Sequence, residues 1–197
     1  MTQDQFPSSN DPGSFSQGVR FSQTTARVPE RCRTGVCSTG AVVLNGPHEF
    51  MVDFLQRLAQ PQQVVARIIV PMTLMPAFIR ALGDNIAGFT AKFGPPPSLP
   101  QPPPGTPIPT VEELYEQLKI SDEVLAGTYC NTVMIAHSPA EFCFDFITSS
   151  FPKPIVASRV FMAAAHAPKL LDSLKRSWDQ HQRRMLPPQE NPEGQPE

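Results

Sequence analysis

Between positions 48 and 54 the chain reads HEFMVDF, so that Phe50, Val52 and Phe54 alternate with Glu49, Met51 and Asp53. Between 140 and 146 it reads AEFCFDF, with Phe142, Phe144 and Phe146 set against Glu141, Cys143 and Asp145. Alternation with period two predicts a strand that turns one face to a core. A short apolar stretch precedes each run, AVVL at 41–44 and TVMIAH at 132–137, followed by Gly46–Pro47 or Ser138–Pro139 as turn punctuation. A segment rich in β-branched residues follows each, VVARIIV at 64–70 and IVASRVFM at 155–162, as suits a covered central strand. The period then lengthens. Met75, Phe78, Ile79, Leu82, Ile86, Phe89 and Phe93 recur at three- and four-residue steps, as do Ala167, Leu170, Leu171, Leu174 and Trp178. Both series predict amphipathic helices. Pro76 and Pro168 fall near their starts, where a missing amide is tolerated.

The two series are one series repeated. Positions 28–86 align with 120–178 at a constant offset of 92, pairing Gly35 with Gly127, Glu49 with Glu141, Phe50 with Phe142, Asp53 with Asp145, Arg67 with Arg159 and Leu82 with Leu174. An internal repeat decides architecture before any motif does. The fold class it predicts is α+β: two β-β-β-α repeats packed as an intramolecular pseudo-dimer. A unit of about 60 residues is marginal alone, so the two should share one core. Phe50, Phe54, Phe142, Phe146, Leu82, Leu174 and Trp178 are its expected members. A three-stranded sheet with one helix leaves an edge and part of a face uncovered, and pairing the units side by side resolves both.

Composition sets the boundaries. Positions 1–27 are rich in Ser, Gln, Gly and Pro without periodicity and read as a disordered N-terminal tail. The first repeat spans 28–93 and the second 120–185. Between them, 94–109 is a proline-rich linker, expected to be an extended polyproline spacer. A short helix is expected at 110–119, with Thr110 and Glu113 at capping-box spacing. Positions 186–197 read as a disordered C-terminal tail.

The second repeat carries a recognisable pattern. AGTYCNTVMIAHSPAEFCFDF, then SRVFM, then HAPKLLDSL, resembles the domain-of-unknown-function family 3467 (DUF3467), a small prokaryotic family. The matching positions are Tyr129, Asn131, Ser138, Pro139, Glu141, Phe142, Asp145, Phe146, Arg159, Val160, His166, Leu170 and Leu171. The first repeat departs from it, with Cys37, Gly46 and Leu74 at the tyrosine, serine and histidine positions. The resemblance implies a tandem version of a unit that usually occurs once. It implies no reaction.

Charge and candidate chemistry narrow the function classes. The net charge of −2 and pI near 6.1 give no global basic footprint for nucleic acid or membrane. No apolar run reaches the ~18–20 residues that span a bilayer. The N-terminus has neither a basic nor an apolar signal region, so no signal peptide is expected. Cys32, Cys37, Cys130 and Cys143 form no dense disulfide pattern, and a reducing, bacterial cytoplasm is the simplest setting. Metal binding has little support. Cys32 and Cys37 are a C-x4-C pair, and Cys130, His137 and Cys143 share one predicted hairpin. There is no C-x2-C pair, and the first repeat has Ser38, Asn45 and Met51 in their place. No nucleophile elbow, phosphate loop or dinucleotide fingerprint occurs, so no catalytic residue and no cofactor is predicted.

Asp53 with Arg67, and Asp145 with Arg159, stand out because both repeats hold them on neighbouring strands. They are either register-fixing ion pairs or an anion or partner site. Lys175, Arg176, Arg183 and Arg184, with Lys169, give the second helix a basic character and are candidate nucleic-acid contacts. The resulting expectation is a non-enzymatic protein-interaction or assembly module, with a protein partner or self-association. The alternative is a nucleic-acid-binding accessory protein using the basic second-repeat helix.

Overall fold

The computed structural model describes residues 26–185 except 102, 104, 108 and 151. Each half follows the same element order at the offset of 92. The first half contains α1 (Glu30–Arg33), β1 (Val36–Ser38), β2 (Gly40–Asn45), β3 (Glu49–Gln56) and β4 (Gln62–Pro71), then a 3-10 turn (Met72–Leu74) and α2 (Met75–Phe93). The connection holds α3 (Val111–Glu116) and β5 (Leu118–Ile120). The second half contains α4 (Asp122–Leu125), β6 (Thr128–Tyr129), β7 (Thr132–His137), β8 (Glu141–Thr148) and β9 (Ile155–Ala163), then a 3-10 turn (Ala164–His166) and α5 (Ala167–Met185). The predicted α+β architecture of two β-β-β-α repeats is therefore present, with short elements added ahead of each.

Those added elements change the topology. One sheet runs β1-β9-β8-β7 and the other β2-β3-β4-β5, with β6 also on β4. Within each sheet the three long strands come from one repeat and are antiparallel. The short parallel strand beside them comes from the other repeat: Val36 pairs with Val160 and Ile68 with Thr128. These two registers are the same register under the offset. The halves have exchanged strands, which covers one edge of each three-stranded sheet, at β4 and β9. The sheets are not simply laid side by side.

The helices are exchanged as well. Phe89 of α2 stacks on Phe142 of β8, with ring centroids 5.5 Å apart, and Phe78 meets Phe144 and Phe146 edge-on. From the other side Trp178 and His181 of α5 lie against Phe50 of β3. One buried cluster contains Phe50, Phe54, Phe78, Leu82, Phe142, Phe144, Phe146 and Leu174, with Trp178 packed at its margin. Every expected core residue belongs to it. The polar contacts at the helix–sheet seams are also related by the offset. Asn45 donates to the Ser177 carbonyl at 3.4 Å, and His137 Nδ1 lies 3.2 Å from Asn85 Oδ1.

Several boundaries differ from expectation. The capping box forms, with the Glu113 amide donating to Thr110 Oγ1, but the helix ends at Glu116 and the chain enters β5. The predicted helix over 110–119 is therefore too long, because Leu118–Ile120 finds a strand partner in Gln62–Val64. The last residue of the predicted tail 1–27 is paired in the fold. Arg27 forms a parallel bridge to Ile155, the counterpart of the β5 pairing. The rest of that tail and 186–197 lie outside the described residues. Positions 94–109 hold no helix or strand among those described. Among the described residues no helix is long and apolar enough to cross a membrane.

Candidate functional site

Both Asp/Arg pairs form, across the β3–β4 and β8–β9 registers. Arg67 donates from Nε and Nη2 to the two Asp53 oxygens at 2.9 and 2.7 Å. Arg159 does the same to Asp145 at 2.6 and 2.7 Å. The planar fork of each guanidinium matches the carboxylate in two parallel bonds. Each arginine lies beneath the exchanged segment of the other half. Gly127 has φ +75° and sits against Ile69 and Arg67, and Gly35 has φ +63° and sits against Phe161 and Arg159. A Cβ at Gly35 would fall 2.7 Å from the Phe161 ring and 2.9 Å from Arg159 Cγ. Glycine supplies both the left-handed backbone and the clearance at that point. The shared Gly, Asp and Arg positions thus belong to one device, repeated twice, at the strand exchange.

The two copies differ in environment. Asp53 is fully buried and Arg67 is 12% exposed, while Asp145 and Arg159 are 19% and 21% exposed. Tyr115 of α3 covers the first pair, its hydroxyl donating to Asp53 Oδ2, and Arg67 Nη1 donates to the Leu125 carbonyl at 3.2 Å. Burial, and then the Asp53 carboxylate, push the Tyr115 phenol well above its ordinary range. Cys143 lies beside the second pair, Sγ 4.0 Å from Asp145 Oδ1. Burial first, then Asp145, push this thiol up, away from reactivity.

The other cysteines and His137 are scattered. Cys32 is buried on α1, donating to the Ala157 carbonyl at 3.3 Å, and Cys37 is exposed on β1. Cys130 is buried, and burial raises its thiol to about 12. His137 is packed among Phe89, Phe93 and Phe142. Among the described residues no group of three or more His, Cys, Asp or Glu side chains converges on a point.

The basic helix presents its charges on more than one side. Lys169, Arg176 and Arg183 are exposed and spaced by seven residues, so a drift of only ~20° per heptad keeps them on one face. They stand ~10 Å apart along it. Lys175 and Arg184 lie off this stripe, roughly a quarter-turn to either side. Asp172 and Asp179 lie at its margin. Sequence reasoning missed one cation. Arg57, at the end of β3, is exposed and borders the start of α5 together with His166. Comparing charges between repeats would have found it. At the offset of 92, Arg57 corresponds to Ser149, Lys169 to Ala77, Arg176 to Asp84 and Arg183 to Ala91.

A search among curated proteins found no match. The family profile described as "Protein of unknown function (DUF3467)" matches twice, over residues 4–96 and 100–186, which are the two offset-related halves. The chain belongs to the DUF3467 family, as a tandem of two copies.

Proposed function

We propose that this chain is a non-enzymatic protein-interaction module that engages an acidic partner through the exposed face of α5. The observation that carries this reading is where the two halves stop being alike. Core residues, turn glycines and ion pairs occur twice because the fold needs them twice. The cations Arg57, Lys169, Arg176 and Arg183 occur once. Their counterparts Ser149, Ala77, Asp84 and Ala91 carry a net charge of −1, and the three on α2 are exposed too. Folding does not require the cations, so they are available for recognition. Complementary charge of this kind steers encounter and fixes orientation.

A protein partner is favoured over nucleic acid by the carboxylates of Asp172 and Asp179 beside the same face. A continuous phosphate backbone would meet both, whereas a folded or extended acidic protein can match a mixed pattern. The alternative reading takes Lys175, Arg176, Arg183 and Arg184 as phosphate contacts, with binding that weakens steeply with salt.

Affinity purification of the full chain from native lysate, with and without nuclease, separates the two. The expected result is a stoichiometric protein that survives nuclease and is lost from the Arg176→Gln/Arg183→Gln variant. Recovery of nucleic acid, or loss of all partners after nuclease, would replace this reading with the alternative.

A further inference from the structure

Arg57, His166, Lys169 and Arg176 border a cleft of about 550 Å³ between the end of β3 and the start of α5. Part of its wall is apolar: Ala41 and Leu170 from β2 and α5, and Leu99 from the connection between the repeats. That volume falls within the ~300–1,000 Å³ of small-molecule sites.

At the cleft one half departs from the other at two neighbouring positions, 40 and 57. The Arg57 guanidinium lies over Gly40 of β2, 3.7 Å from where a Cβ would stand, which is ordinary contact distance. The Arg57 amide is anchored by donating to Thr39 Oγ1 at 3.0 Å. In the other half the same two positions are Thr132 and Ser149, whose hydroxyls meet at 3.2 Å. There the Ser149 amide donates to Asn131 Oδ1 at 2.7 Å. In both halves this amide is thus satisfied by an uncharged side chain, and the half at the cleft adds a guanidinium. Glycine and arginine replace threonine and serine only at the cleft.

The charges in the cleft are not neutralised by one another. Among the described residues, Arg57, Lys169 and Arg176 enter no salt bridge. Arg176 makes only 3.4 and 3.5 Å contacts to its own helix, at the Asp172 carbonyl and Ser173 Oγ. Three cations against the single carboxylate of Asp172 leave a net +2 around the cavity. His166 registers the same field: burial, then Lys169, then Arg57, hold its imidazole below the ordinary range.

We propose that this cleft binds a phosphate monoester, with the phosphoryl dianion held by Arg57, Lys169 and Arg176 and its organic body against Leu99 and Leu170. The net charge matches a dianion. A guanidinium fork and an ammonium reaching from two elements suit the spread of acceptors on a tetrahedral phosphoryl group. The mixed wall suits an ester over a bare ion. This site shares Arg57, Lys169 and Arg176 with the partner surface proposed above and goes beyond it in naming a small ligand; Arg183, which lies outside the cleft, tells them apart, since Arg183→Gln should weaken the partner and leave the ester unaffected.

The test is a titration of the full chain with phenyl phosphate at low ionic strength, followed by calorimetry and by the NMR signals of the His166 ring. Saturable binding is expected, with the His166 pKa moving up as the dianion enters and with inorganic phosphate binding more weakly. Arg57→Gln should weaken binding by about tenfold or more. Arg80→Gln, which alters the two-fold counterpart of Asp172, should leave it unchanged. A phosphoserine peptide run alongside separates the two sources of such a group. Tighter binding than phenyl phosphate assigns the cleft to a phosphorylated chain, and weaker binding to a free ester, and either result sustains the phosphoryl site. Absence of saturation, wild-type binding by Arg57→Gln, or benzoate binding as well as phenyl phosphate would overturn the proposal.

Discussion

Two ion pairs of the same geometry in different surroundings offer a controlled experiment. Removing Arg67 as Arg67→Ala strands Asp53, which is fully buried and keeps only the Tyr115 hydroxyl as a side-chain partner. Losing one partner of a buried pair costs about 3–5 kcal/mol, because the remaining charge can neither reach water nor find a counterion. Arg159→Ala removes the same two hydrogen bonds, but Asp145 is 19% exposed and regains water. The expected cost there is about 1.5–3 kcal/mol, that of hydrogen bonds to a charged group. Urea unfolding reads the difference. Trp178, the single tryptophan, packs across the halves on Phe50 and reports on the shared core. The Arg67 variant should lose its midpoint well before the Arg159 variant, with similar slopes. Removing both partners, as Asp53→Ala/Arg67→Ala, should recover part of the loss. An equal or greater cost for Arg159→Ala would refute the claim that burial, more than the bonds themselves, sets the weight of these pairs.

Three further outcomes follow from the same structure. Gly35→Ala should destabilise the fold by about 2 kcal/mol or more, since roughly half or more of that arises from the left-handed backbone alone and the new methyl also meets Phe161 and Arg159; thermal melting measures it. Phe142→Ala, opening a hole between β8 and Phe89, should cost about 3–5 kcal/mol in urea unfolding, and an unchanged midpoint would contradict its burial. Stability should fall as pH rises from 9 towards 12, because the unfolded Cys130 thiol ionises near its ordinary value of 9.0 while the buried one resists until about 12. Each pH unit in that window removes up to ~1.4 kcal/mol per proton. Cys130→Ala should flatten the alkaline limb in unfolding curves taken across that range.

The long elements are legible in the chain because each carries several repeats of its own period. Phe142, Phe144 and Phe146 announce a strand three times over, and Phe78, Leu82 and Phe89 a helix. The strands β1 and β6 span three and two residues, and no periodicity can be read from so few. Yet they decide the topology, since they carry the exchange between halves. The glycines are the available signal. Gly35 and Gly127 keep the same place in both repeats just ahead of these strands, and a left-handed turn pressed against a neighbour is a physical reason for that. Asp53 resists reading for a different cause. It alternates with Val52 and Phe54, both fully buried, and that pattern predicts a solvent-facing side chain. Tyr115, 62 positions along the chain, covers it instead.

The site is harder to read because its signal is a difference and not a pattern. Helical charge alone points to Lys175, which lies off the stripe, and passes over Arg57, which is not on the helix at all. The repeat supplies the missing reference. Where two copies of one unit fold alike, any residue the fold demands is expected twice, and a residue found once needs another explanation. Separate chains of one sequence cannot use this freedom, because every substitution appears at both related positions. A covalent tandem can place arginine at 57 and serine at 149, glycine at 40 and threonine at 132, and so set a guanidinium beside the cleft at α5 without repeating it at the related position. The core meanwhile stays symmetric, since Phe50 and Phe142 still receive the opposite helix in the same way. Fusion of the two units therefore separates what the fold requires from what recognition requires, and the single set of cations along α5 and Arg57 is where that separation is visible.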